Sequence, residues 1–142
     1  ENKVISSTRI RESLTNGDIE KAGKMLGYNF TVSGEIVFGQ QLGRQLGFRT
    51  ANIEYPKEIV DIPFGVYETQ TKYGRAITNF GIRPTINNSK KAVMETHIFD
   101  FDKNIYGENI DVEFVRMIRK EMKFNTVDEL VSQIQKDIKL IK

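Results

Sequence analysis

The sequence contains no cysteine, no tryptophan and a single histidine, His97. Each shortage removes a chemistry. Without cysteine there is neither a disulfide framework nor a thiolate nucleophile, and the natural compartment is the cytoplasm. A zinc centre of the Cys/His type has no donor set. A Ser-His-Asp triad would have to centre on His97, yet no G-x-S-x-G elbow presents a serine to it. The phosphate loop G-x-x-x-x-G-K-[ST] is missing too. No apolar run approaches the ~20 residues of a membrane span, and no signal peptide is visible or expected. Charge of one sign is also scarce. The 21 Lys and Arg against 19 Asp and Glu leave a net +2, too little to argue by itself for a nucleic-acid surface.

What is present is an ordinary globular composition, 39% apolar and 28% charged over 142 residues. That length suits one domain with a sizeable core. The first residue is Glu1 rather than Met, so the chain is expected to be a piece of something longer.

The densest signal is Gly39-Gln40-Gln41-Leu42-Gly43-Arg44-Gln45-Leu46-Gly47-Phe48-Arg49-Thr50-Ala51-Asn52. Glycine reaches positive φ and lets backbone N–H groups approach a ligand. Successive N–H groups form an anion-binding concavity, and Arg44 adds a bidentate, charge-assisted contact to phosphate. Thr50 and Asn52 offer the hard oxygens that Mg²⁺ takes beside substrate phosphates. If Ala51 lies in a strand, alternation turns both toward one ligand. The stretch reads as a nucleotide-phosphate loop with a magnesium corner. A glycine-rich hairpin with its polar residues in water is the other reading that the spacing leaves open.

Residues 5–27 read as two short helices. Ser6, Ser7 or Thr8 caps the first and Asn16-Gly17 stops it; Asp18 caps the second and Gly27 ends it. From Tyr28 the period becomes two, and strands are predicted over 30–38, 50–55, 65–73, 75–82, 93–100 and 110–118. Six strands with no helices between them argue for an antiparallel sheet closed into a small barrel. A final helix follows, with Thr126 and Glu129 in a capping box and an apolar stripe of Val127, Leu130, Val131, Ile134, Ile138 and Ile141. That stripe is expected to be buried against the barrel.

Glu95 lies in an otherwise apolar strand and shares a face with His97 and Phe99. A carboxylate there can be a general base for an alcohol nucleophile, or a surface residue of the sheet. Arg83 ends a strand at a turn and can reach a phosphate or form a surface ion pair. Phe124, just before Thr126, can staple the helix or stack on an aromatic ligand.

Together these segments resemble the riboflavin kinase module of bacterial bifunctional riboflavin kinase/FAD synthetases. The matching pieces are Gly34-Glu35-Ile36-Val37, Gly43 through Asn52, Gly65-Val66-Tyr67 and Asn79-x-Gly81-x-Arg83-Pro84-Thr85. Glu95-Thr96-His97, Tyr106-Gly107 and Lys123-Phe124 complete the set. The resemblance spans residues 28–142, the kinase domain, and residues 1–27 look like the tail of a preceding adenylyltransferase module. It implies a mainly β fold, a six-stranded antiparallel Greek-key barrel with a C-terminal helix and short N-terminal helices. It also implies transfer of the γ-phosphoryl group of ATP to the 5′-hydroxyl of riboflavin, giving FMN and ADP. In that scheme Gly39, Gly43, Arg44, Gly47 and Phe48 cover the nucleotide, and Thr50 and Asn52 hold Mg²⁺ and the phosphates. Glu95 accepts the hydroxyl proton, while Arg119, Met122 and Phe124 meet the flavin. Arg49 replaces the proline of the family's Pro-Thr-Ala-Asn, losing a φ restraint. FAD formation from FMN is expected only with the linked adenylyltransferase module. The rival class is a barrel that binds single-stranded nucleic acid on Phe38, Phe48 and Phe80, but the cations are interspersed with acids. No nucleic-acid or membrane partner is expected.

Overall fold

The computed structural model describes residues 7–37, 50–84 and 90–142. The helix α1 (Ser7–Thr15) stops at Asn16-Gly17. In α2 (Ile19–Leu26), the Asp18 carboxylate accepts from the Lys21 N–H at 3.3 Å, and Gly27 closes the helix in the left-handed region at φ +83°. Leu14, Ile19 and Ala22 from this pair are buried in the same apolar core as the strands that follow.

Those strands are β1 (Phe30–Val37), β2 (Ala51–Glu54), β3 (Gly65–Thr71), β4 (Gly74–Pro84), β5 (Lys90–Ile98) and β6 (Asn109–Lys120). They close a barrel in the order β1-β2-β5-β4-β3-β6, and every pairing is antiparallel. Hairpin-connected β3, β4 and β5, with β6 returning beside β3, form the expected Greek key. Alternation sorts the side chains. Ile53, Met94, Phe80, Tyr67, Val32, Val112 and Phe114 point inward and are fully buried. Thr69, Thr78 and Thr96 join them, with hydroxyls linked at 2.9 and 2.8 Å across β3, β4 and β5. This ladder satisfies three polar groups inside an apolar barrel, which would otherwise be costly to bury.

The strand β6 runs past the predicted end at Ile118, to Lys120. Its pairing with β3 shifts between Val66 and Tyr67 and again between Glu68 and Thr69. These bulges break the two-residue period that the sequence reading relies on. At the end of β6 the backbones of β3 and β6 nearly touch. A Cβ on Gly65 would lie 2.4 Å from the Arg119 carbonyl oxygen and 2.9 Å from the Met117 Cε.

The last helix, α3 (Val127–Ile141), crosses the outside of the barrel. Thr126 Oγ1 accepts from the Glu129 N–H at 3.1 Å, while the Glu129 carboxylate accepts from the Asn125 N–H at 3.0 Å. Of the apolar stripe only Ile141 is fully buried, while Leu130, Val131, Ile134 and Ile138 are half-buried. Ile141 and Ile138 pack with Val66, Ile77, Phe99 and Ile118, whereas Val127 is 58% exposed. Polar anchors explain the difference, because all of them reach the C-terminal half. Arg119 Nε donates to the buried Asp137 carboxylate at 3.0 and 3.2 Å. Arg116 donates to the Leu140 carbonyl at 2.8 Å, and Arg75 to the Ile141 carbonyl at 3.1 Å.

Two substitutions test these constraints. Gly65→Ala should cost about 1–3 kcal/mol, as overpacking usually does, and lower the melting temperature by roughly 3–10 °C for a chain of this size. A melting curve within 1 °C of the native one would mean that β3 and β6 separate freely. Asp137→Asn should leave the Arg119 charge without its counterion and cost about 3 kcal/mol, the low end for a broken buried pair, since Arg119 is partly solvated. Urea unfolding with an unchanged midpoint would remove this ion pair as the anchor of α3.

Candidate active site

The barrel's registers bring together residues that lie far apart in the chain. Asn52 on β2 stands opposite Glu95 on β5, and Glu95 stands opposite Asn79 on β4. Asn79 in turn faces Val66 on β3, and Val66 faces Arg119 on β6. Directly opposed residues of an antiparallel pair share a face, with Cβ atoms about 4.5–5.5 Å apart. One continuous row on the outer surface therefore runs Asn52, Glu95, Asn79, Val66, Arg119. Behind it, Ala51, Ile53, Met94, Thr96, Thr78 and Phe80 are packed in the core, so the row stands on a rigid wall.

Asn52 is only 6% exposed although it points away from the barrel interior. Thr50, half-buried, lies one residue before β2 and two before Asn52, the spacing that returns an extended chain to the same side. Glu95 is half-buried. The Asn79 Oδ1 is buried and accepts no hydrogen bond, alone in this among the described residues. An orphaned buried acceptor is a departure that calls for an explanation. The sequence reading placed Asn79 in a matching motif but assigned it no part in the site.

At the other end of the row, the Arg119 guanidinium is held by Asp137, donates to the Lys120 carbonyl at 3.2 Å, and lies 5.8 Å from the centre of the Phe124 ring. Phe124 is half-buried, and Met122 on the same β6–α3 loop is exposed. The three residues predicted to meet a flavin thus lie at one end of the row, with Arg119 and Phe124 in contact. His97 points outward opposite Ile77 and sets its ring against the edge of Phe99, with centroids 5.8 Å apart. Gly39, Gly43, Arg44, Gly47, Phe48 and Arg49 lie outside the described residues, as does the side chain of Arg83. Phe80 offers no stacking platform. It is buried between Tyr55 and Phe64 at centroid distances of 4.6 and 5.0 Å.

Among the described residues no three His, Cys, Asp or Glu side chains cluster as metal ligands. Thr50, Asn52 and Glu95 instead supply hard oxygens, two of the three residues being neutral. That donor chemistry suits a Mg²⁺ that arrives with phosphate ligands of its own, and does not make a closed all-protein cage.

A model of the riboflavin kinase (flavokinase) family matches residues 26–142. The bifunctional riboflavin kinase/FMN adenylyltransferase of Haemophilus influenzae is 43% identical over 97% of this chain and 46% of its own length. The chain thus spans about half the length of the curated relatives it matches. A solved Streptococcus pneumoniae chain described as a macrolide-efflux protein superposes with a TM-score of 0.86 at 35% identity, over 99% of this chain and 47% of its own. That description stays with that chain, and among the described residues here no helix is long and apolar enough to cross a membrane. The riboflavin kinase of Trypanosoma brucei shares the fold, with a TM-score of 0.51 at 20% identity over 78% of this chain and 76% of its own. Since the family model takes in every strand of the barrel, the outer row and α3, this chain belongs to the riboflavin kinase family.

Proposed function

We propose that this chain transfers the γ-phosphoryl group of ATP to the 5′-hydroxyl of riboflavin, forming FMN and ADP. The observation that carries this reading is the outward row in which Asn52, Glu95 and Asn79 stand side by side on three paired strands. In our reading Asn52 and Thr50 hold the phosphate end, and Glu95 receives the proton of the attacking hydroxyl. As the new O–P bond forms, the bond from phosphorus to the ADP oxygen breaks. Phosphoryl transfer asks little covalent chemistry of a protein, and mainly positions the two substrates and balances charge. Thr50 and Asn52 would hold Mg²⁺, which when bound neutralises charge on the transferring phosphate.

The closed barrel supports the positioning role. Its inward Thr69–Thr78–Thr96 ladder and the packed Met94 and Phe80 fix the backbone that carries Glu95. We assign Arg119, Met122 and Phe124 to the flavin, because an arginine stacked near an aromatic ring beside an exposed methionine suits a flat apolar ligand. The glycine run from Gly39 to Phe48 would cover the nucleotide. Residues 1–27 we take as the tail of an adenylyltransferase module linked to the kinase domain, 28–142, in a longer protein. The bifunctional description of the relatives supports that assignment. A cysteine-free sequence supports a cytoplasmic setting.

Incubation with riboflavin, ATP and Mg²⁺ should yield FMN and ADP, and excess chelator should abolish the reaction. The isolated chain should make no FAD from FMN. Unaltered FMN formation in chelator, or efficient FAD formation, would overturn this reading. Thr50→Ala and Asn52→Ala should each lower turnover by about 10²–10³, the usual loss of one preorganised electrostatic contact. Turnover within twofold of native for both would remove the phosphate corner. Glu95→Gln should bind both substrates normally and lower kcat by roughly 10²-fold, near the low end for general-base help. A variant with native kcat, or one that melts much earlier, would take the base role from Glu95.

A further inference from the structure

Asn79 occupies the middle of the outer row, and the assignment above gives it no chemical role. Its Oδ1 is buried without a hydrogen-bond donor, a state that costs about 1–3 kcal/mol in a folded protein and persists where something else repays it. The missing group is a donor, because a carboxamide oxygen only accepts. Position in the row narrows its source. Asn52, on the phosphate side, flanks Glu95 on β2, while Asn79 flanks Glu95 on β4. Asn79 therefore lies away from the phosphates, on the path from Glu95 through Val66 to Arg119 and the β6–α3 loop. Phosphate oxygens are acceptors and leave Oδ1 unsatisfied. A hydroxyl donates, and side chains at opposed positions, with Cβ atoms about 4.5–5.5 Å apart, can each reach one of two neighbouring hydroxyls of a polyol chain.

We infer that Asn79 binds the acceptor substrate through its polyol side chain, its Oδ1 accepting from the secondary hydroxyl next to the one that Glu95 deprotonates. This rests on the assignment of riboflavin as the acceptor. It makes Asn79 a specificity residue. A site built to bond a hydroxyl rejects an analogue that lacks it, because the buried acceptor is then left unpaired. Val66, its neighbour on β3, is apolar and packed under Ile138 and Ile141 of α3, so it brings Asn79 no competing polar partner.

The test compares riboflavin with 4′-deoxyriboflavin on the native chain and on Asn79→Leu, by fluorescence titration of the flavin. The native protein should bind the deoxy analogue about tenfold more weakly than riboflavin. Asn79→Leu should bind riboflavin about tenfold more weakly than native and no longer distinguish the two flavins. Its melting temperature without ligand should hold or rise, since the substitution removes an unsatisfied acceptor. Riboflavin binding by Asn79→Leu within twofold of native overturns the inference, as does equal binding of both flavins by the native chain. A variant that fails to fold, or melts well below native, makes Asn79 a structural residue and also overturns it. A loss confined to the Mg·ATP dependence would place Asn79 on the phosphates, again against the inference. The kinase assignment is tested apart from this: if the native chain forms no FMN the assignment falls, whereas FMN formation with unchanged flavin binding by Asn79→Leu sinks only the role of Asn79.

Discussion

Everything that can be said of the site depends on the register of β5, which pairs with β2 along one edge and with β4 along the other. Side chains alternate across a strand, so a slip of β5 by one residue would carry Glu95 into the barrel interior, away from Asn52 and Asn79, and push Met94 and Thr96 out. The interior penalises that slip twice. A carboxylate would lose its water, and the hydroxyl ladder from Thr69 through Thr78 to Thr96 would come apart. Polar groups inside the barrel thus select the register, and the register selects which polar groups meet outside. Core and site are two faces of one pairing decision.

The second dependency runs through β6. Its bulges rotate the strand's end so that Met117 turns inward while Arg119 keeps to the outer row. There the guanidinium is claimed by Asp137 of α3 and sits near Phe124 of the intervening loop. One side chain thereby ties together the end of a strand, the following loop and the helix. The absence of a side chain at Gly65 lets the β3 backbone come close enough to hold that end of β6 in place.

The sequence discloses those features that local periodicity encodes. Alternation in Met94-Glu95-Thr96-His97-Ile98 places Glu95 and His97 on the outer face, and Met94, Thr96 and Ile98 are indeed buried. The caps Asp18, Gly27 and Thr126 are legible because a cap is a relation among near neighbours. Asn52 and Glu95 are each recognisable as candidates, but their adjacency is a non-local register that no window of sequence carries. Asn79 escaped because a polar strand residue reads as solvent-facing until its burial is known. The end of β6 was misjudged because a bulge shifts the two-residue period without leaving a turn signal. The apolar stripe of α3 suggested uniform burial, yet which part of a helix is covered depends on where its polar partners stand.

Those partners give α3 a gradient along its length. Three arginines of the barrel, Arg75, Arg116 and Arg119, hold its C-terminal half, two of them on carbonyls of the last turn. Cations there also complement the negative end of the helix macrodipole. Among the described residues the first turns have their own capping bonds and a half-exposed apolar edge. Local opening therefore begins at Val127 and travels toward Ile141, so the amides nearest the β6–α3 loop lose hydrogen-exchange protection first. The helix behaves as a splint clamped along its C-terminal half. Its first turn can then fray and re-form at little cost while the barrel beneath it stays shut.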